Sequence, residues 1–290
     1  MEKLISYLIE SVSKNTSSNF QRKKELESWL KNKNYPDYLN ALNRMLKDPK
    51  AKLLLQDGFG GDLGNMKLKY SVKQISANSL RPTQSEIDIE KSIKHGLTKL
   101  ECVKKDFFIP AIINNMPLIT FRGNYIIDGH HRWAEVMAFN PNAKMTCFDY
   151  DGEISPIQML KAVQGAIAAV LADEDSESKI PSSIVNDKDI FKMSYYGIKS
   201  YIEETIDDKV KTYLMSKLNS SENVIDYITD NIENMKTSNY PESGMPNRGE
   251  MPQTDKAGTD KHDKTTSTPD SKGSALHKLK TGKIDKDAIA

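Results

Sequence analysis

Cysteine is scarce in this chain of 290 residues: there are two, Cys102 and Cys147. Two thiols cannot make a disulfide framework, and their spacing matches no metal-ligand pattern, so a reducing compartment is the expectation. An excess of one charge is also missing. Lys and Arg number 41 against 40 Asp and Glu, a net charge of +1. A chain so balanced is not a strongly basic nucleic-acid binder, although local patches such as Arg22-Lys23-Lys24 stay open. Long apolar runs are absent too. No stretch approaches the roughly 18 residues of a membrane span. Met1 to Glu10 carries neither a long apolar segment nor a small-residue cleavage site, so no signal peptide is expected and the expected location is cytoplasmic. What is present is a hydrophobic content of 38%, enough for a core, and a charged fraction of 28% that suits a soluble protein.

The pattern of residues divides the chain. Residues 1–50 read as an N-terminal helical arm. Leu4, Ile5, Leu8 and Ile9 recur at helical spacing, Ser18 to Gln21 fits a capping box before Lys23 to Leu30, and Pro36-Asp37 opens a helix from Tyr38 to Leu46. Residues 51–65 form a glycine-rich linker whose Gly58, Gly60, Gly61 and Gly64 fail the dinucleotide fingerprint. Residues 66–152 alternate between strand and helix signals. Tyr70 to Ile75 reads as a strand, Leu80 to Gln84 as a turn, and Glu86 to Ile93 as a helix capped by Ser85. Phe107 to Ile113 is apolar and strand-like. Pro117 to Phe121 and Asn124 to Ile127 make a hairpin around Arg122-Gly123, and Lys144 to Phe148 is the last strand. The expected fold is α+β, a small mixed sheet flanked by helical regions. Ser155-Pro156-Ile157-Gln158 starts a long helix within 153–172, a polar linker covers 172–186, and 187–238 is a C-terminal helical region. From 240 to 290 the chain is rich in Lys, Asp, Thr, Ser and Gly, with too little apolar surface to offset its ordering entropy, so disorder is expected.

One segment carries chemistry. Asp128-Gly129-His130-His131-Arg132-Trp133-Ala134-Glu135 follows the apolar run Tyr125 to Ile127 and leads into a helix-like run from Trp133 to Phe139. A glycine at a strand-to-helix turn lets backbone approach a ligand. The first amides of a helix point outward with the positive end of its dipole behind them. Two imidazoles and a guanidinium on that turn would meet an anion, above all a phosphate. Arg132 is the leading phosphate contact, because its planar fork suits paired oxygens. His131 fits a phosphate donor or a proton relay, and His130 a second donor or a structural histidine. Asp128 fits a cap, a histidine-orienting group or a magnesium ligand through water. Asp149 and Asp151 either approach a metal or are solvated in a loop. Trp133, Val136 and Met137 are assigned to the core, and His95 to a helix end.

The segment Val72 to Asp151 resembles the ParB/sulfiredoxin-like superfamily. Leu80-Arg81-Pro82-Thr83-Gln84 is similar to the family's element after the first strand, Asp88 to Gly96 to its following helix, and Asn124 to Ala134 to its signature strand, turn and helix. Members hydrolyse CTP while clamping DNA, phosphorylate sulfinic acids with ATP, phosphorylate serine, or are described as nucleases. The resemblance implies that Gly129, His130, His131 and Arg132 contact phosphates and that ATP or CTP with Mg²⁺ is bound. It leaves the metal ligands unknown. A catalytic cysteine precedes the His-Arg pair in sulfiredoxins, and His130 stands there here, so that activity is not expected. The kinase-type members use a glutamate near the first-strand turn. Gln84 is nearest that place and cannot accept a proton, which leaves Glu86 or Asp128 as the base beside His131. Two readings follow. One is a nucleotide-binding protein with NTPase, kinase-like or nuclease activity at the Asp128–Arg132 turn. The other is a non-catalytic DNA-binding or phage head-associated protein, in the host cytoplasm or the virion, that uses the domain as a binding module.

Overall fold

The structure, a computed structural model, describes residues 28–29, 31–46, 69–106, 112–160, 162–163, 184–218 and 223–246. The chain divides into two units, Met1–Leu68 with Ile157–Ser182 and Gly249–Ala290, and Lys69–Pro156 with Ser183–Arg248. The expected helix at Lys23 to Leu30, the glycine-rich linker, Phe107 to Ala111 and the tail beyond residue 246 lie outside the described residues or almost so. No helix among the described residues is long and apolar enough to cross a membrane.

In the first unit, helix α1 (Tyr35–Leu46) buries Tyr35, Tyr38, Ala41 and Leu42, a one-sided stripe at helical spacing. Asn34 begins it by donating from Nδ2 to Asp37 Oδ2 at 2.7 Å. The helix expected after Ser155 is described at residues 156–160 and 162–163, where Met159, Leu160, Ala162 and Val163 are buried.

The second unit is built on a five-stranded mixed sheet, as the α+β expectation requires. Its strands are β1 (Lys69–Ser76), β2 (Arg81–Pro82), β3 (Ile112–Phe121), β4 (Tyr125–Asp128) and β5 (Lys144–Asp151), in the order β1-β5-β3-β4-β2. β1 is antiparallel to β5, β5 parallel to β3, β3 antiparallel to β4, and β4 parallel to β2. Two expected strands merge here. Ile112 to Phe121 is one strand with a register shift between Ile113 and Leu118, so the proline at 117 marks an irregularity within β3 and not its start.

Helices α2 (Ile89–Thr98), α3 (Leu100–Asp106), α4 (His130–Phe139), α5 (Tyr195–Thr205), α6 (Asp208–Lys217) and α7 (Val224–Ser238) complete the unit. α2 starts three residues later than expected. Asp88, not Ser85, is its cap and accepts from the Lys91 amide at 3.1 Å, while the Ser85 amide donates to the Pro246 carbonyl. The reason is long-range: Ile87 donates its amide to Asp189 Oδ1 at 3.1 Å, and its carbonyl, which a helix through it would need, accepts from the Ile190 amide at 2.9 Å. Ile89, Ser92, Ile93, Gly96 and Leu97 form the buried face of α2. α7 buries Val224, Ile225, Ile228, Thr229, Ile232 and Met235 on one stripe. α4 is buried on nearly every side after Arg132, and the core cluster joins Trp133, Val136, Met137 and Phe139 to Leu118, Ile126, Met145 and Cys147 of the sheet and to residues of α2, α5, α6 and α7. The Trp133 indole donates to the Ala77 carbonyl at 2.8 Å, so its polar edge is satisfied inside the core.

The stretch 240–246, expected to be disordered, is packed. Pro241, Met245 and Pro246 are buried, and the Asn239 side chain donates from Nδ2 to the Asn78 and Leu80 carbonyls, each at 2.8 Å. Two prolines hid a strap that turns on itself through the Met245 amide and Glu242 carbonyl and takes the distant Ser85 amide at its Pro246 carbonyl.

The contact between α2 and α4 yields a prediction. A Cβ at Gly96 would lie 2.5 Å from the Phe139 ring and 3.2 Å from Glu135 Oε1. Gly→Ala inside a helix ordinarily stabilises by roughly 0.5–1 kcal/mol. Here Phe139 is fully buried and cannot yield, and overpacking costs about 1–3 kcal/mol. Gly96→Ala therefore lowers the thermal midpoint, and an unchanged or raised midpoint in calorimetry would contradict the close α2–α4 approach.

Candidate functional site

The strand-to-helix turn lies where β4 ends. Gly129 is the residue before α4 and sits at φ 98°, in the left-handed region. A Cβ there would lie 2.5 Å from Leu118 Cδ2 and 2.8 Å from Arg132 Nη2. Glycine is thus required twice, by its backbone angle and by the side chains folded over it. The first intrahelical bond runs from the Trp133 amide to the Gly129 carbonyl at 3.0 Å. The amides of residues 130–132 precede it, at the positive end of a ten-residue helix.

Arg132 folds back across this turn. Its Nη2 donates to the Pro117 carbonyl at 3.3 Å and lies 3.8 Å from Asp128 Oδ2, with both side chains partly exposed. Burial pushes the Arg132 pKa down, and the Asp128 carboxylate partly restores it. The guanidinium stays charged, but its charge is less well solvated than in water.

The two histidines part company. His130 is buried, and its Nε2 accepts from the Thr83 amide at 3.2 Å. The Thr83 hydroxyl donates to the Ile126 carbonyl. His130 therefore holds the Arg81–Gln84 loop against β4 and α4, and its Nδ1 carries the ring proton when it is neutral. His131 is half-exposed and turns to α2, where Nδ1 is 3.0 Å from Ser92 Oγ. Ser92 was not foreseen. A polar residue on the otherwise apolar Ile89–Ile93–Leu97 stripe was the available signal.

Glu86 is drawn elsewhere. It is buried, with Oε1 3.1 Å from Lys192 Nζ and Oε2 accepting from the Ile184 amide at 3.0 Å. The Gln84 side chain donates to the Glu86 carbonyl. The turn thus brings together Asp128, Gly129, His131 and Arg132, while His130 and Glu86 are engaged in holding neighbouring segments.

Asp149 is neither a loop residue nor a member of an acidic cluster. It lies in β5, fully buried, and accepts from Thr120 Oγ1 at 2.8 Å, the Gly123 amide at 2.7 Å and Lys73 Nζ at 2.6 Å. It pins the β3–β4 turn over the sheet. Arg122, at a positive φ of 52°, adds two bonds to the Gly152 carbonyl at 3.1 and 2.7 Å. Among the described residues no group of three or more His, Cys, Asp or Glu could hold a metal ion. His95, at the end of α2, lies 2.9 Å from Lys99 Nζ and 3.5 Å from Cys102 Sγ.

No family model matches the chain. No curated protein matches it either. Among solved structures it is similar to a Pnob8-like ParB-N domain, at 13% identity and a TM-score of 0.23, over 64% of this chain and 69% of that one.

Two substitutions test this geometry. Gly129→Ala must adopt a left-handed angle, at about 1–2 kcal/mol, and meet Leu118, at about 1–3 kcal/mol more. A stability loss below about 1 kcal/mol in urea titration would contradict the turn as described. Asp189 tests the neighbouring segment. Its Oδ1 accepts from the Ile87 and Phe191 amides at 3.1 and 3.2 Å. Its Oδ2 lies 3.2 Å from Lys192 Nζ without a well-aligned hydrogen bond. Burial raises its pKa, outweighing the bonds that lower it. The folded state then holds this proton more tightly than the unfolded one, so its contribution to stability falls as pH rises from about 4 through the raised value. Asp189→Asn keeps the acceptor and loses this titration. The stability of the variant relative to wild type should rise across that window, and a constant difference would refute the raised pKa.

Proposed function

We propose that the protein binds a phosphate-bearing nucleotide at the Asp128–Arg132 turn and performs phosphoryl transfer or phosphate-ester hydrolysis there. The observation that carries this reading is the Arg132 guanidinium lying across the backbone of a left-handed glycine at a helix N-terminus. An anion at that backbone meets helix amides and a fixed cation together, which is the arrangement phosphate recognition uses. The sequence resemblance to the ParB/sulfiredoxin-like superfamily supports the same reading, with ATP or CTP as nucleotide. Magnesium would enter with the phosphates and take Asp128 as its carboxylate, since Mg²⁺ is usually held by one or two carboxylates plus substrate oxygens. His131 is the group at the turn able to move a proton near pH 7.

One observation favours a second reading, a binding module without turnover that holds DNA or a phage structural protein. Glu86, the carboxylate suggested as base, is buried in an ion pair with Lys192, and Gln84 cannot accept a proton. A turn with its cation and amides but no placed base binds phosphate without breaking a bond.

The test is ³¹P NMR of the protein with ATP, ADP or CTP and Mg²⁺, beside Arg132→Ala. Wild type should shift or consume the phosphate signals. Arg132→Ala should weaken binding by about tenfold to a hundredfold, the worth of one charged hydrogen-bonding group, at a nearly unchanged melting temperature. Binding with no product supports the module. Equal affinity in the variant removes the turn from either reading.

A further inference from the structure

Ser92 has one proton to give, and its two neighbours decide where it goes. Ser92 Oγ is 2.7 Å from the Asp88 carbonyl oxygen, which can only accept. The hydroxyl proton is therefore directed there. What remains on Ser92 Oγ toward His131 Nδ1, 3.0 Å away, is a lone pair. Nδ1 must then be the donor, and the ring proton of neutral His131 sits on Nδ1. Ser92 is 1% exposed and lies on the buried face of α2, so this geometry is held by packing and does not depend on a mobile side chain.

We infer that Ser92 is a positioning residue that locks neutral His131 in its Nδ1–H form, so that His131 can donate to an anion through Nε2 only after taking up a proton. This rests on the reading that phosphate binds at the Asp128–Arg132 turn, and it adds that binding there is proton-coupled. Neutral His131 in this form carries no proton on Nε2, and an unprotonated ring nitrogen repels a phosphate oxygen. Protonated His131 keeps its bond to Ser92 and adds an N–H donor at Nε2. The same ring thus serves as acceptor before proton uptake and as phosphate ligand after it. The ionisable groups within one helical turn of the pair are the cap Asp88 with Glu90, Lys91, Lys94 and His95 on α2, Asp128 at the end of β4, and His130 and Glu135 on α4. Arg132 follows His131 directly. Tyr201 of α5 lies in the field of Asp88 and Glu90, and its pKa is pushed up to about 12, mainly by burial, so it stays neutral through the relevant range.

The test uses the full chain labelled with ¹⁵N at histidine, with His131→Gln to assign the resonances. Long-range ¹H–¹⁵N spectra of the ligand-free protein at alkaline pH read the form of the ring directly. Wild type should show neutral His131 protonated at Nδ1. Ser92→Ala should shift it toward the Nε2–H form, and Ser92→Thr, which keeps a hydroxyl, should restore the wild-type pattern. Binding of inorganic phosphate and of ATP is then followed by calorimetry in buffers of differing ionisation enthalpy. Wild type should take up close to one proton on binding, with affinity weakening about tenfold per pH unit once the ring is mostly neutral. Ser92→Ala should take up fewer protons and show a shallower pH profile. A neutral Nε2–H ring in the wild type overturns the inference, and this readout needs neither variant to fold. Binding without proton uptake overturns it too, and leaves the phosphate site standing. Absence of phosphate and ATP binding at every pH overturns the coupling together with the proposed function.

Discussion

The arrangement depends on one backbone angle, the left-handed φ of Gly129. A side chain at that position would meet Leu118 on the sheet and Arg132 on the helix it starts. The glycine is therefore where strand, helix and guanidinium come closest. Because the chain reverses there without a Cβ, α4 begins directly over the sheet. Trp133 then reaches the Ala77 carbonyl, and His130 reaches the Thr83 amide. Packing and site follow from the same turn. A helix begun one residue later would rotate every side chain by about 100° and carry Trp133 out of the core.

The buried polar groups nearby act as clasps. Asp149 collects three donors and holds the β3–β4 turn. Asp189 accepts from the Ile87 amide, and Glu86 shares Lys192 with it. Burial disfavours the Lys192 charge, yet the two carboxylates outweigh it and raise its pKa. A carboxylate removed from water must be matched by donors, and each of these is matched by backbone amides or a lysine from a segment far along the chain. The loops around the turn are thus tied by charge.

Much of this was legible in the residues, and the failures share a cause. The period of two in Tyr70 to Ile75 and the apolar spacing of Ile89 and Ile93 are local signals, and both elements form. Ser85 and Asp88 are equally good caps by type. The choice between them is made by Asp189, about a hundred residues away. His130 and His131 are neighbours that no local rule separates. One helical step turns the first toward Thr83 and the second toward Ser92. Glu86 looked like a base because it is near the first-strand turn in sequence, and Lys192 is what withdraws it. Pro241 and Pro246 read as breakers, and they do break helix. They leave a strap whose Pro246 carbonyl takes the amide of the distant Ser85. Sequence carries the periodic and the covalent. It does not carry which distant donor completes a buried acceptor.

The state of Arg132 gives that division its chemical meaning. A guanidinium has five N–H donors in a fixed fork. Here one nitrogen faces a carbonyl at 3.3 Å and a carboxylate at 3.8 Å, both longer than the 2.7–2.9 Å of a good charge-assisted bond. Burial has already removed part of its hydration, which is why its pKa falls. The desolvation that usually opposes ion pairing is therefore partly complete in the folded chain before any ligand arrives. Under the proposed function, a phosphate at the turn would strip little more water from this cation.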